Sequence, residues 1–446
     1  MSLDTGHADE SQALTSPTQL TRTFEGAEHR DGSLLLGLEH EKLLFPAGAA
    51  TPVPYEGAHG VGAVLEGFRR FGFTDFREAP GLPVIAMTRG PETVSLEPGG
   101  QVELSGSPFR TAREAHAENV RHLGELKQVL APLGLRAVTL GYRPYGALAD
   151  MPWMPKTRYR TMRETLGTRG RLAHDMMLMT ATGQVSLDWR DEADCARKVT
   201  ASVRVAPLLV ALYANSPIAQ GAATGFLSFR SRVWNEVDPA RCGYPPCMLD
   251  GSFSYAAYVD WVIDAPMLFL RRGGKYVNPR RTFRQLLAEG WEGKPALEAD
   301  WIDHLSTMFP EVRLKKVIEI RSADGVNAAM TGALAALMRG LLYDATALDE
   351  VLTLLPARAP EAHRALHAAA QQHGLAAPWG RGTLADAAKE LVAIAARGLG
   401  RLDPLDAPLL EPLAAVAASG RSPAREVLER FEAGEAPEAL VGHCEI

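Results

Sequence analysis

An α+β fold is predicted for this 446-residue chain by three observations. Strand-like and helix-like segments mix irregularly up to residue 345, without the regular strand–helix alternation of a parallel sheet. Beyond Asp344 the composition shifts to Ala, Leu, Arg and Glu with only punctuating Pro and Gly, the mark of successive helices. The chain is 46% apolar and 22% charged, which describes a globular protein with a sizeable core. At roughly 100–200 residues per domain the length allows two or three domains, yet one large α/β or α+β enzyme domain fits equally well. The expected organisation is a loose tail over 1–19 and a single domain over 20–446. Its motif-bearing core is 33–345 and its helical C-terminal region is 346–446.

Residues 1–19 are rich in Ser, Thr, Asp and Gln, with too little apolar surface to offset their ordering entropy. SLLLGLEHEKLLF (33–45) reads as a strand, and Val61, Val64, Leu65 and Phe68 recur at helical spacing near 58–71. VSLE and QVELS, separated by Pro98-Gly99-Gly100, read as a hairpin or a bent strand within 93–108. After Pro108, a helix ending at Gly134 carries Ala115, Val120, Leu123, Leu126 and Leu130 on one face. Segments 136–145 and 183–190 alternate like strands, and 193–217 is a long helix that stops before Pro217. No internal repeat or low-complexity tract interrupts this order.

Composition also excludes partners. A net charge of −6 supplies no basic field for a phosphodiester backbone, so nucleic acid is not an expected partner. The four cysteines, Cys195, Cys242, Cys247 and Cys444, are too few for a disulfide framework, and a reducing cytoplasm is expected. The opening MSLDTGHADE lacks the basic start and apolar stretch of an export signal. The apolar runs at 205–214 and 332–338 are shorter than the roughly 20 residues that span a bilayer, so no membrane partner is expected.

Three acidic constellations could carry chemistry. In GLEHEK, Glu39 and Glu41 share one strand face, and converging carboxylates near a core call for a proton or a hard cation such as Mg²⁺. A solvated strand face with Lys42 as local partner fits that pair equally. Glu97 and Glu103 bracket Pro98-Gly99-Gly100-Gln101, whose glycines allow a close approach of backbone to a ligand; an exposed hairpin is the alternative. In VIEIRSADG, Glu319 and Arg321 share one face, suiting a metal ion and a phosphate, or simply a cross-strand ion pair. Lys156 and Arg158, Arg230 and Arg232 with Trp234, and Lys315 with Lys316 are candidates for anion capture. Cys242 and Cys247 lack a second Cys/His pair and read as free thiols rather than a zinc site. His116 and His122, six apart on a helix, share no face and read as surface positions. Neither a P-loop nor a strand-linked GxGxxG is present.

Taken together, GLEHEK, SLEPGGQVELSGSP, MPKTRY, GFLSFRSRVW and EVRLKKVIEIRSADG, in this order, resemble the plant and proteobacterial type of glutamate–cysteine ligase over residues 33–345. The resemblance implies a curved antiparallel sheet of the glutamine synthetase and guanido-kinase type, surrounded by helices. It implies an enzyme that joins glutamate and cysteine at the expense of ATP through an acyl phosphate. Glu39, Glu41, Glu97, Glu103 and Glu319 fall at the metal-ligand positions for Mg²⁺, or Mn²⁺ in its place. Arg321 falls at an ATP-phosphate position, with Lys315 or Lys316 assisting. Arg158 and Arg230 fall where glutamate carboxylates bind, with Trp234 packing beside the substrate. The catalytic positions are then Glu39, Glu103 and Arg321. Leu268, Ser186 and Val326 depart from the family pattern, which leaves room for another amino acceptor, and a non-catalytic metal-binding relative is the remaining alternative. The resemblance leaves the oligomeric state open.

Overall fold

Nine antiparallel strands form the central sheet of the structure, a computed structural model that describes residues 12–446. In chain order they are β1 (Leu36–Pro46), β2 (Thr74–Phe76), β3 (Ala86–Arg89), β4 (Glu92–Leu96), β5 (Val102–Ser105), β6 (Leu135–Val138), β7 (Thr182–Leu187), β8 (Val312–Leu314) and β9 (Ile318–Asp324). The spatial order is β8-β9-β7-β1-β5-β4-β3-β2, and β6 joins the far end of β1. The long β1 is the hinge of this topology. It pairs with β7 and β5 over its first two-thirds and with β6 over Leu43–Pro46. Every pairing in the sheet is antiparallel, in keeping with the predicted α+β class.

Helices cover the rear of the sheet. α1 (Ala112–Leu130) begins at a Thr111–Glu114 capping box. Its first amides also donate to the buried carboxylate of Asp406, Ala112 N at 2.8 Å and Arg113 N at 3.1 Å. A C-terminal carboxylate thus offsets the positive end of the helix that backs β1. Alongside α1 runs α6 (Ala328–Leu342), which is buried almost all round and packs on β7 and β1. The expected helices at 58–71 and 193–217 are present as Val61–Gly67 with a 3₁₀ turn to Phe71, and as α4 (Glu192–Tyr213). Of the remaining helices, α2 (Thr157–Leu166), α3 (Ala173–Met179) and α5 (Phe229–Trp234) stand on the front of the sheet. α7 (Pro360–His373) belongs to the helical C-terminal region, as the composition predicts. Among the described residues no helix is long and apolar enough to cross a membrane.

Three local expectations are corrected. The loose tail expected over 1–19 does not extend through its second half: Ala13–Leu14 pairs with Ala296–Leu297, and Leu14 is buried. A two-residue strand with so distant a partner leaves no local periodicity to read. Residues 1–11 lie outside the described residues. Val120, expected on the apolar face of α1, is exposed, and Val129 takes a core place instead. His122, expected at the surface, is fully buried with its Nε2 accepting from Lys42 Nζ at 3.0 Å. Lys42 also donates to His40 O at 2.6 Å, and burial lowers its ammonium to about 7. Lys42 is therefore no solvated neighbour of Glu41; period-two alternation sends it to the opposite face of β1.

Candidate active site

The front of the sheet carries a cavity whose floor is acidic. Glu39 and Glu41 from β1 line it, as do Glu103 from β5 and Glu97 from the turn after β4. Strand register brings two of them face to face, because Glu41 and Glu103 are direct cross-strand partners. Like charges opposite one another in an antiparallel pair repel, more so when half withdrawn from water. Glu41 accepts from Thr182 N at 3.0 Å, and Glu103 accepts from Ser105 Oγ at 2.5 Å. Burial, then Glu97 and Glu103, still hold the Glu41 carboxyl well above its ordinary range. Burial and Glu103 push Glu97 up to about 7, against Lys156 and Arg158.

These shifts set a pH dependence. An acid whose pKa is raised by folding contributes stability that is complete below its unfolded value and declines as pH rises toward the folded value. Without divalent ions, the stability of the protein minus that of its Glu97→Gln variant, from urea unfolding, is expected to fall from about pH 5 to pH 7; the difference cancels the opposite slope contributed by the buried His40, His122, His304, His363 and His367. A difference that rises over that interval would contradict the crowding of these carboxylates.

Opposite the acidic floor stands a basic wall. Arg313 in β8 and Lys315 just beyond it alternate onto the same face as Glu319 and Arg321 in β9. Glu319 is buried beneath them: its carboxylate meets Arg313 Nε at 2.5 Å, Lys315 Nζ at 2.6 Å and Arg321 Nη1 at 3.6 Å. Burial alone would raise that carboxyl, but Arg313, Lys315 and Arg321 hold it far below its ordinary range. Arg313, Lys315 and Arg321 line the cavity, whereas Glu319 does not. Arg321 also donates to Gln184 Oε1 at 2.7 Å and lies 5.7 Å from the Trp234 ring centre. Burial and the neighbouring Arg313 lower its guanidinium to about 10. Lys316, in the turn between β8 and β9, is exposed.

The remaining walls come from three short helices. Arg158 and Tyr159 enter from α2, Met176 and Met177 from α3, and Arg230 and Trp234 from α5, enclosing about 980 Å³ with the mouth included. Arg230 is held from behind, with Nη2 donating to Arg321 O at 3.0 Å. Glu97 Oε1, Arg230 Nε and Trp234 Nε1 are buried without a protein partner. Orphaned buried polar atoms along one cavity mark a place built for a polar ligand. Among the described residues no three His, Cys, Asp or Glu side chains stand close enough to hold a metal ion as they are placed. The chemistry of the floor suits a hard cation all the same, since its donors are carboxylate oxygens and burial, Glu97 and Glu103 leave Glu41 short of positive charge.

Several expected residues lie elsewhere. Lys156 is buried outside the cavity lining, its Nζ donating to Leu96 O and Tyr159 Oη, both at 3.2 Å. Arg232 pairs with Glu236 at 2.6 Å. Gly99 serves close packing of backbone on backbone, since a Cβ there would sit 2.2 Å from Leu178 O. The turn therefore docks on α3, which also supplies Met176 and Met177. Leu268, Ser186 and Val326 do not line the cavity; the aromatic beside Leu268, Phe269, does. All four cysteines are free thiols. Arg313, Gln184 and Thr182 were not anticipated, although the alternation of Arg313 with Lys315 and of Thr182 with Gln184 carried the signal.

Comparison with known proteins places this geometry. Residues 35–443 match the model of glutamate–cysteine ligase family 2. The chain is 39% identical over 405 residues to the chloroplastic glutamate–cysteine ligase of Brassica juncea, covering 89% of this chain and 77% of that protein. It is 37% identical over 429 residues to the chloroplastic enzyme of Arabidopsis thaliana, covering 94% and 80%. Among solved structures, the glutamate–cysteine ligase of Francisella tularensis in complex with AMP shares the fold at 13% identity and a TM-score of 0.56. That match covers 92% of this chain and 91% of the other. An extensive sequence match and a front cavity of facing acids and bases agree: this chain belongs to glutamate–cysteine ligase family 2.

Proposed function

We propose that the protein joins the γ-carboxylate of L-glutamate to the amine of L-cysteine with hydrolysis of ATP to ADP and phosphate. The observation that carries this reading is one cavity in which Glu39, Glu41, Glu97 and Glu103 face Arg158, Arg230, Arg313, Lys315 and Arg321. Such a site can hold anions and cations side by side, which a reaction between a carboxylate and a nucleoside triphosphate requires. Glutamate's γ-carboxylate attacks the γ-phosphorus of ATP, ADP departs, and an acyl phosphate forms. The cysteine amine then attacks the acyl carbon and phosphate leaves. No protein nucleophile takes part.

In this assignment Arg158 and Arg230 hold glutamate carboxylates, with Trp234 packing beside them. Arg321 and Lys315 meet the phosphates and offset the charge of the transferring group. Mg²⁺, or Mn²⁺ in its place, would be held by Glu39, Glu41, Glu97 and Glu103, and would supply neutralisation of phosphate charge. Glu39 and Glu103 act through that neutralisation. Glu319 differs in its assignment: with three cations already against one carboxylate, a divalent ion there would be repelled, so its part is to fix Arg313, Lys315 and Arg321. Cysteine remains the acceptor of this reading because the three departures from the family pattern lie off the cavity. A cytoplasmic setting accords with four unpaired thiols.

Incubating the pure protein with ATP, Mg²⁺, glutamate and a panel of amines tests reaction and acceptor together. Mass spectrometry is expected to find γ-glutamylcysteine and equimolar phosphate. Preference for another amine would reject the acceptor, and absence of ATP turnover with any amine would reject the ligase reading.

A further inference from the structure

Behind Arg230 lies a buried carboxylate that the proposed chemistry does not use. Asp324, the last residue of β9, is 1% exposed and does not line the cavity described above. Its Oδ2 accepts from Asn215 N at 2.8 Å and from Ser216 Oγ at 2.6 Å, and its Oδ1 accepts from Ser228 Oγ at 2.8 Å. The guanidinium of Arg230 stands 3.9 Å from Oδ1. The direction of each hydroxyl proton follows from its other partner. Ser216 Oγ receives the backbone N–H of Arg230 at 3.0 Å, and Ser228 Oγ receives that of Ser231 at 3.2 Å. Each serine has therefore used an acceptor site on the helix and turns its own proton to Asp324. Four donors face the two carboxylate oxygens, which is the environment of an anion. Burial raises this carboxyl, while Arg230 and the three hydrogen bonds oppose that rise.

The consequence is that one anion grips Arg230 at both ends. It holds the backbone through Ser216 and faces the guanidinium as an ion pair at 3.9 Å, while Ser228 caps the first turn of α5. We propose that Asp324, working through Ser216 and Ser228, is the positioning residue that fixes Arg230 for the glutamate carboxylate. It touches no substrate itself, so its effect appears in glutamate binding ahead of the other substrates. This deepens the proposed function and rests on its assignment of Arg230.

Steady-state kinetics of four variants test it. Asp324→Asn keeps the side-chain volume but removes the charge and turns an amide toward inward-pointing donors. Its glutamate KM is expected to rise about tenfold to a hundredfold, the range for a lost bond to a charged group, with the KM for ATP and cysteine unchanged. Ser216→Ala keeps the anion and cuts only the relay to the Arg230 amide, and is expected to raise glutamate KM about three- to tenfold. Arg230→Ala should raise it at least as far as Asp324→Asn, and the double variant should equal Arg230→Ala alone. If Asp324→Asn does not fold, Ser216→Ala decides, and an unchanged glutamate KM there overturns the proposal. So does a double variant whose effect is the product of the single ones, or a parallel rise of all three KM values. Arg230→Ala with an unaltered glutamate KM would overturn the assignment of Arg230 and this inference with it. An impaired Arg230→Ala beside unimpaired Asp324→Asn and Ser216→Ala would overturn the inference alone.

Discussion

Exchanging Glu319 for glutamine is expected to destabilise the protein by about 3–5 kcal/mol and to suppress ATP-dependent phosphate release at least a hundredfold. The side chain is 2% exposed and meets Arg313, Lys315 and Arg321 at once. Removing the anion leaves three cations packed in a medium that screens them poorly, and the cost falls on the partners left behind. Lys315 is the first to yield, since burial already lowers its ammonium and Glu319 is the main group holding its charge. Arg313 keeps its bonds to Ser306 O at 3.1 Å and Met308 O at 2.9 Å, so the strand is expected to survive while the basic wall splays. Urea unfolding and a phosphate-release assay measure the two effects separately. A variant of unchanged stability would show that the three cations are neutralised by something other than Glu319.

The second large effect has the opposite sign for stability. Glu41→Gln is expected to stabilise the protein at pH 8 without divalent ions by about 1–3 kcal/mol, while lowering turnover about tenfold to a hundredfold. Glu41 stands in direct register with Glu103, and burial together with Glu97 and Glu103 raises its carboxyl. Glutamine removes one of the crowded charges and still offers an oxygen to the Thr182 amide. The repulsion relieved is the same feature that would attract a divalent cation, so stability and turnover move apart. Thermal unfolding in chelator and phosphate release in Mg²⁺ give the two readings. A lower unfolding temperature for the variant would refute crowding at this position.

Residue by residue, the acidic floor was legible because it is written in local alternation. Glu39 and Glu41 lie two apart on one strand, and Glu97 and Glu103 flank one turn. The same rule, applied to VRLKK, points to Arg313 beside Lys315. Other features had no local signal. Burial of His122 and Lys42 depends on α1 being laid behind β1, and the Leu14 strand depends on a partner at Ala296. The glycines at 99 and 100 suggested an approach to ligand, yet the neighbour that Gly99 admits is the α3 backbone. A short-range pattern reports that space is needed without saying what fills it.

By itself the sequence determined the elements of this protein and the chemical character of each strand face, because side-chain periodicity and turn residues act over a few neighbours. Tertiary structure alone decided which faces meet. It set Glu41 against Glu103, put Glu319 beneath three cations instead of in the open cavity, and lodged Asp324 behind Arg230. The first and last of those relations are made by strand register and helix packing between segments far apart in the chain, and the second by the register of the β8–β9 hairpin and its burial. Electrostatic energy in a buried site depends on distances of a few ångströms that no local pattern encodes.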